Sequence, residues 1–306
     1  MECLQKPYHT IGRQVSFSGE IMDKLVINYV PTGMLMKKGD TPFVPVSVDE
    51  IIEDVRQAVK IGITSVHLHA READETPSWR KEVYRDIIRG IREFAPELVI
   101  AVSTSGRFFN TFETRSDVLN LTGSDKPDMA SLTLSSLNFN KVASINEPGM
   151  ILSLAGKMKE AGIRPELEAF DVGMINVAKY LIRHELLEQP YCFSMILGNI
   201  ACAQPTLMHT AMMVNDVPDD YEIVFGGIGR AQLKINALAI SMGYGVRVGI
   251  EDNIWLDEQR TKLATNLDFL ERVHVIAKAV GREICSSAEY RKRLHLQPGN
   301  GKYGVL

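Results

Sequence analysis

The stretch Ile63-Thr64-Ser65-Val66-His67-Leu68-His69-Ala70-Arg71 decides how the chain is read. It is short, apolar and rich in β-formers, so it predicts a strand over 65–69. Side chains two apart in a strand share a face. His67, His69 and Arg71 therefore project one way, and Val66, Leu68 and Ala70 the other. Amphipathic runs flank this strand. The run 48–61 places Ile51, Ile52, Val55, Ala58 and Val59 on one helical face, and 80–93 spaces Val83, Ile87, Ile88 and Ile91 in the same manner.

The same strand-then-helix alternation extends in both directions. Further strands are expected at 25–30, 98–103, 129–133, 164–169, 191–197, 221–225 and 245–249. Helices are expected at 113–121, 148–161, 172–187, 205–214, 230–242 and 257–280. Pro148 opens one of these helices and Gly162 closes it. Strict alternation implies a parallel sheet with helical crossovers. Eight such units fit an α/β chain folded as a single (β/α)8 TIM barrel. The expected layout is an N-terminal extension over 1–22, the barrel over about 23–282, and a polar C-terminal tail over 283–306. No G-x-G-x-x-G follows the first strand and no G-x-x-x-x-G-K-[ST] occurs, so neither nucleotide fingerprint is present.

The 306 residues are 45% hydrophobic and 24% charged, with a formal net charge of −4. No basic stripe is present, which argues against nucleic acid as a partner. Four scattered cysteines, Cys3, Cys192, Cys202 and Cys285, contain no C-x-x-C pair and predict free thiols in a reducing compartment. Cys192 and Cys202 sit in apolar surroundings and read as small core residues. The first residues lack an apolar leader core and no apolar run spans a bilayer, so the expected location is cytoplasmic.

Catalytic side chains of such barrels gather at the C-terminal ends of the strands. The polar residues of this chain fall there: Thr32, His67 and His69, Ser103-Thr104-Ser105-Gly106, Ser131 and Thr133, Glu166 and Glu168, Gly227-Ile228-Gly229-Arg230, and Arg247 with Glu251-Asp252-Asn253. Two imidazoles on one strand face form half of a transition-metal site, or a buried hydrogen-bonded pair. A third ligand is needed. The other histidines (His9, His184, His209, His274, His295) fall in helices or terminal segments, so Glu251 is the first choice. Glu251-Asp252 also suits a helix N-terminus. Glu166 and Glu168 also suit an ion pair with Arg164 or Arg247. Ser103–Gly106 reads as a turn or as an anion cradle of hydroxyls and N–H groups.

Taken together, Pro31-Thr32-Gly33, His67-Leu68-His69-Ala70-Arg71, Ser103-Thr104-Ser105-Gly106, Leu137-Asn138-Phe139, Pro165-Glu166-Leu167-Glu168, Gly227-Ile228-Gly229-Arg230 and Arg247-Val248-Gly249-Ile250-Glu251-Asp252-Asn253 resemble the β-keto acid cleavage enzymes. The match covers roughly 25–289. The resemblance implies a (β/α)8 barrel with Zn2+ on His67, His69 and Glu251. It implies a reaction of a β-keto acid with acetyl-CoA that gives acetoacetate and a new acyl-CoA. Asp252 and its partner Arg247 take the catalytic positions, Ser103 and Ser131 those of the substrate-carboxylate hydroxyls, and Glu168 that of a pocket glutamate. The expected substrate-facing set is completed by Thr104, Ser105, Gly106, Thr133, Leu35 and Arg71. A homotetramer is implied as well. In one respect the chain departs from the family: members acting on an amino-substituted substrate carry a glutamate where this chain has Leu35. A leucine cannot pair an ammonium, so a distal primary amine is not expected, and Lys37 nearby leaves a keto diacid open. Competing readings are a metal-dependent hydrolase of the amidohydrolase type, which needs further histidines, and a catalytically silent barrel that binds CoA thioesters or metabolites.

Overall fold

The computed structural model describes residues 23–296. Eight parallel strands close into a barrel in sequence order: β1 Ile27–Tyr29, β2 Ser65–Leu68, β3 Val99–Val102, β4 Met129–Thr133, β5 Arg164–Ala169, β6 Tyr191–Leu197, β7 Tyr221–Gly227 and β8 Gly245–Val248. Closure is made where Asn28 of β1 stands opposite Arg247 of β8 on one side and Ser65 of β2 on the other. The helices are α1 Val48–Ile61, α2 Lys81–Arg92, α3 Phe112–Ser116, α4 Pro148–Ala161, α5 Val172–Arg183, α6 Leu207–Asp216, α7 Ala231–Ser241, α8 Asn266–Ala279 and α9 Ser287–Arg293. The (β/α)8 barrel expected from the sequence is therefore the fold. The expected extension over 1–22 and the tail beyond 296 lie outside the described residues.

Alternation along each strand sorts two cores. Val66 and Leu68 face outward, and with Ile51, Val55 and Ala58 of α1 and Ile87, Ile88 and Ile91 of α2 they form the layer between barrel and helices. Inside the barrel, Val26, Val99, Ala101, Met129, Cys192 and Val224 form a separate apolar plug at the base. Above that plug the inward positions turn polar: Asn28, Ser65, His67, Ser131, Glu166, Glu168, Ser194 and Arg247 are all buried. The barrel thus has a dry floor and a charged mouth, which is where the fold holds a reactive site.

Several elements differ from the sequence expectation: the helix expected over 113–121 is α3 only to Ser116, followed by a 3-10 turn over Asp117–Asn120, and α5 stops at Arg183 rather than at 187. The last long helix starts at Asn266, not at 257. Asp257 accepts from the backbone N–H groups of Thr261 and Lys262, and Trp255 pairs with Leu263, which ties 255–263 into a loop. Thr265 and Asp268 then form a reciprocal capping box that opens α8. Residues 283–296, expected as the start of a polar tail, carry α9 beneath the barrel. Tyr290 and Leu294 join the apolar plug, and Arg291 donates through both Nη atoms to the buried Asp128, each at 2.8 Å. Cys192 and Cys285 are buried and free, whereas Cys202 is half-buried. Among the described residues no helix is long and apolar enough to cross a membrane.

Candidate active site

The mouth is built from the ends of β2, β5 and β8. His67 Nδ1 donates to Glu166 Oε2 at 2.6 Å, and Glu166 Oε1 accepts from Asn28 Nδ2 at 2.6 Å. A carboxylate acceptor on Nδ1 leaves the His67 Nε2 lone pair directed up the barrel. His67 Nε2 lies 3.2 Å from His69 Nε2, which lies 3.2 Å from Glu251 Oε1. Burial pushes the His69 pKa down to about 4, with His67 and Arg71 adding to the effect against Glu251, so this imidazole is neutral near pH 7. Burial acts the same way on His67, but the charge and hydrogen bond of Glu166 outweigh it and raise its pKa.

The donor atoms of His67, His69 and Glu251 all lie within 4.8 Å of one another. Glu251 Oε2 is buried with no hydrogen-bond partner. Burial raises the Glu251 pKa, yet Arg247, His69 and His67 together hold it well below the usual carboxylate range. Converging imidazole nitrogens beside an ionised carboxylate with an orphaned oxygen fit a divalent transition metal. Two nitrogens, one oxygen and an open position are the donor set of a catalytic zinc site. Gly33 makes room for this carboxylate: it sits at φ +65°, and a Cβ there would meet Glu251 Cγ at 2.6 Å.

Arg247 is fully buried and joins the carboxylates. Its Nε donates to Asp252 Oδ2 at 3.0 Å, and Nη2 donates to Asp252 Oδ1 at 3.3 Å and to Glu251 Oε1 at 2.6 Å. Nη1 stands 4.0 Å from Glu168 Oε1. Asp252 is buried, and burial raises its pKa above the ordinary value; Arg247 pulls it down while the Glu251 charge adds to the rise. Glu168 is raised by burial too, and accepts from Thr133 Oγ1 at 2.7 Å. A carboxylate with a raised pKa, aimed by a guanidinium beside a cluster that could hold a metal, is equipped to take a proton.

A second patch lies at the ends of β3 and β4. Ser131 Oγ accepts from Thr104 N, and Ser103 Oγ accepts from Ser105 N. Both serines thereby keep their hydroxyl protons for donation. Thr104 is turned inward, its Oγ1 donating to Ser131 O. Arg115 holds the turn from behind through Thr104 O, Ile145 O and Asn146 Oδ1. Gly106 is the residue this packing admits, because a Cβ would meet Ile145 O at 2.3 Å. Arg71 lies near enough to His69 and Glu251 for their charges to interact, but its hydrogen bonds go elsewhere. Its three guanidinium nitrogens donate to the carbonyls of Gly33, Glu75 and Met36, pinning the loop that displays the exposed Leu35.

Comparison with known proteins places the chain in a family. The beta-keto acid cleavage enzyme family model matches residues 24–296. The chain belongs to the β-keto acid cleavage enzyme family. A 3-keto-5-aminohexanoate cleavage enzyme of Fusobacterium nucleatum is 34% identical over 278 residues, covering 90% of this chain and 100% of that relative. A 3-oxoadipate:acetyl-CoA acetyltransferase of Cupriavidus necator is 34% identical over 275 residues, covering 89% of this chain and 94% of the relative. Among solved structures, a ternary complex of ObcA with C4-CoA adduct and oxalate is similar in fold. Its TM-score is 0.71 at 19% identity, covering 83% of this chain and 68% of that one.

In this family member, Glu166 takes a role beyond the ion pair its position suggests, and Asn28 joins it. The sequence offers Glu166 an ion pair with Arg164 or Arg247, but the structure sets it on His67, and Arg164 bonds the carbonyls of Glu188 and Pro190. Its signal was the i, i+2 pairing with Glu168. Asn28 had no signal. Among the described residues, three of the other histidines are engaged away from the mouth: His274 with Gly62 O, His209 with Gln204 N, and His184 against Tyr180; His9 lies outside the described residues. Glu166→Gln is expected to lower metal affinity about 10- to 100-fold. Metal titration of the apo protein against a chelator checks this, and unchanged affinity removes Glu166 as the residue that orients His67.

Proposed function

We propose that this chain is a zinc-dependent β-keto acid:acetyl-CoA acyltransferase, producing acetoacetate and an acyl-CoA, with a substrate whose distal group is not a primary amine. The observation that carries the reading is the fusion of two devices on one loop: Glu251 closes the metal-type cluster while the adjacent Asp252 is aimed by Arg247. The names of the relatives support the reaction class. Bound at His67, His69 and Glu251, zinc supplies Lewis-acid polarisation to a substrate carbonyl.

The chain's own residues supply the rest. Asp252 removes a proton from the carbon between ketone and carboxylate, and Arg247 keeps it ionised and directed. The hydroxyls of Ser103 and Ser131, with neighbouring N–H groups, grip the substrate carboxylate so that it stays on the carbon that reacts. That carbon attacks the acetyl thioester and CoA thiolate leaves. The thiolate then attacks the original ketone carbon, the carbon–carbon bond breaks to free acyl-CoA, and the departing enolate takes back the proton held by Asp252 to leave as acetoacetate. Burial of His67, His69, Arg247 and Asp252 strengthens each fixed charge. Leu35, on the loop pinned by Arg71, faces the distal group in this reading. Exposed Leu207, Met208 and Met212 on α6 are consistent with a covered face in the homotetramer that belongs to the same reading.

A panel of β-keto acids with acetyl-CoA, scored by acyl-CoA mass, tests the proposal. The expected result is metal-dependent acyl-CoA formation from keto acids with neutral or acidic tails. A preference for 3-keto-5-aminohexanoate overturns the distal-group assignment, and no acyl-CoA from any keto acid overturns the reaction.

A further inference from the structure

Arg107 follows the Ser103–Gly106 turn and was singled out by no motif. Its guanidinium carbon sits 3.5 Å from the centroid of Phe139. Phe139 is itself fixed, edge-on to Phe170 at 5.8 Å and 89°, and anchored by its N–H to Val142 O. The Arg107 Nε is buried without a hydrogen-bond partner. Following the turn at the end of β3, the head group lies near enough to Glu251, Glu168 and Asp252 to feel their charges, yet it forms no ion pair with any of them.

Its neighbours make this unusual. Arg71 is committed to three carbonyls, Arg115 to two carbonyls and Asn146, and Arg247 to the carboxylates. Among the described residues, Arg107 is the one guanidinium of the mouth that is stacked, partly desolvated and left without an anion. Desolvating a cation without a partner is costly, and stacking on one ring offsets only part of that cost. The mouth already holds the acidic groups Glu166, Glu168, Glu251 and Asp252, so an incoming carboxylate meets a negative field unless a cation meets it first. A planar guanidinium fixed on an aromatic platform suits bidentate capture of a carboxylate.

We propose that Arg107 is a substrate-binding residue that pairs a carboxylate of the keto acid at the mouth. This rests on the keto-acid reading above. The carboxylate has two sources, the one every β-keto acid carries beside its reactive carbon, and a distal one on a keto diacid.

The test compares wild type, Arg107→Gln and Arg107→Lys. Steady-state kinetics are run with a keto monoacid, a keto diacid and acetyl-CoA, and malonate binding to the metal-loaded protein is followed by calorimetry. Arg107→Gln is expected to raise KM for keto acid about 10- to 100-fold, with kcat less affected, KM for acetyl-CoA unchanged, and partial rescue in Arg107→Lys. A rise shared by both acids assigns the near carboxylate, and a rise confined to the diacid assigns the distal one. An unchanged keto-acid KM, or an effect on acetyl-CoA alone, overturns the proposal. If wild type turns over no keto acid, the reaction reading fails by itself. Malonate affinity then decides for Arg107: a loss in Arg107→Gln sustains the anion site, and equal affinity removes it.

Discussion

Asp252→Asn is expected to reduce kcat by about 10²- to 10⁴-fold, the range a positioned general base contributes. The substitution is close to isosteric. An asparagine oxygen can still accept from Arg247, so one of the two bonds at 3.0 and 3.3 Å survives. The other is replaced by an amide N–H facing a guanidinium, and stability should fall by about 1–3 kcal/mol. His67, His69 and Glu251 are untouched, so metal stoichiometry should stay at the wild-type value. What the variant loses is the lone pair that accepts the substrate proton. Hydrogen–deuterium exchange of the substrate's acidic methylene reports that step separately from thioester chemistry and should be lost in parallel with turnover. A variant that folds, holds metal and still turns over removes Asp252 as the base.

Arg247→Met is expected to have the largest effect on stability. Arg247 lies between three acidic side chains, in contact with Asp252 and Glu251 and 4.0 Å from Glu168. Arg247 is only 1% exposed, Asp252 and Glu168 are buried with it, and Glu251 is half-buried. Removing one partner of a buried ionic cluster leaves uncompensated charge, which costs about 3–5 kcal/mol. That is a large part of the ~5–15 kcal/mol by which a domain is stable. Urea denaturation of the metal-free proteins should show the drop. Added metal should recover part of it by restoring positive charge at Glu251, without restoring turnover. Arg247→Lys keeps a charge but not the fork that serves two carboxylates at once, so it should recover stability better than activity. A loss below about 1 kcal/mol, as for an exposed pair, contradicts this account of the mouth.

The barrel was largely legible because periodicity is local information. β4, β5 and β6 and helices α1 and α4 fall where apolar alternation, Pro148 and Gly162 place them. The cluster of His67, His69 and Glu251 was legible for a different reason: strand parity puts the histidines on one face, and barrel closure brings β8 round to β2 through β1. Partner choice across strands was harder. Glu166 has the right parity, but nothing in its neighbourhood says that it meets His67 rather than an arginine. Arg71 shares the histidines' parity in sequence, yet a guanidinium on a long stem reaches the carbonyls of Gly33, Met36 and Glu75. The start of α8 was obscured because Asp257 resembles a helix cap while it closes a turn. The floor helix α9 reads as polar, since Tyr290 and Leu294 are the apolar side chains it sends into the plug.

The central claim is that carbon from acetyl-CoA is joined to the two-carbon fragment of a β-keto acid while CoA takes the remaining acyl group. Incubating the metal-loaded enzyme with doubly carbon-13-labelled acetyl-CoA and an unlabelled β-keto acid tests it directly. The account predicts label in carbons 3 and 4 of acetoacetate and an unlabelled acyl-CoA derived from the keto acid, formed in equal amounts. Label released as acetate, or retained in acetyl-CoA while keto acid is consumed, contradicts it.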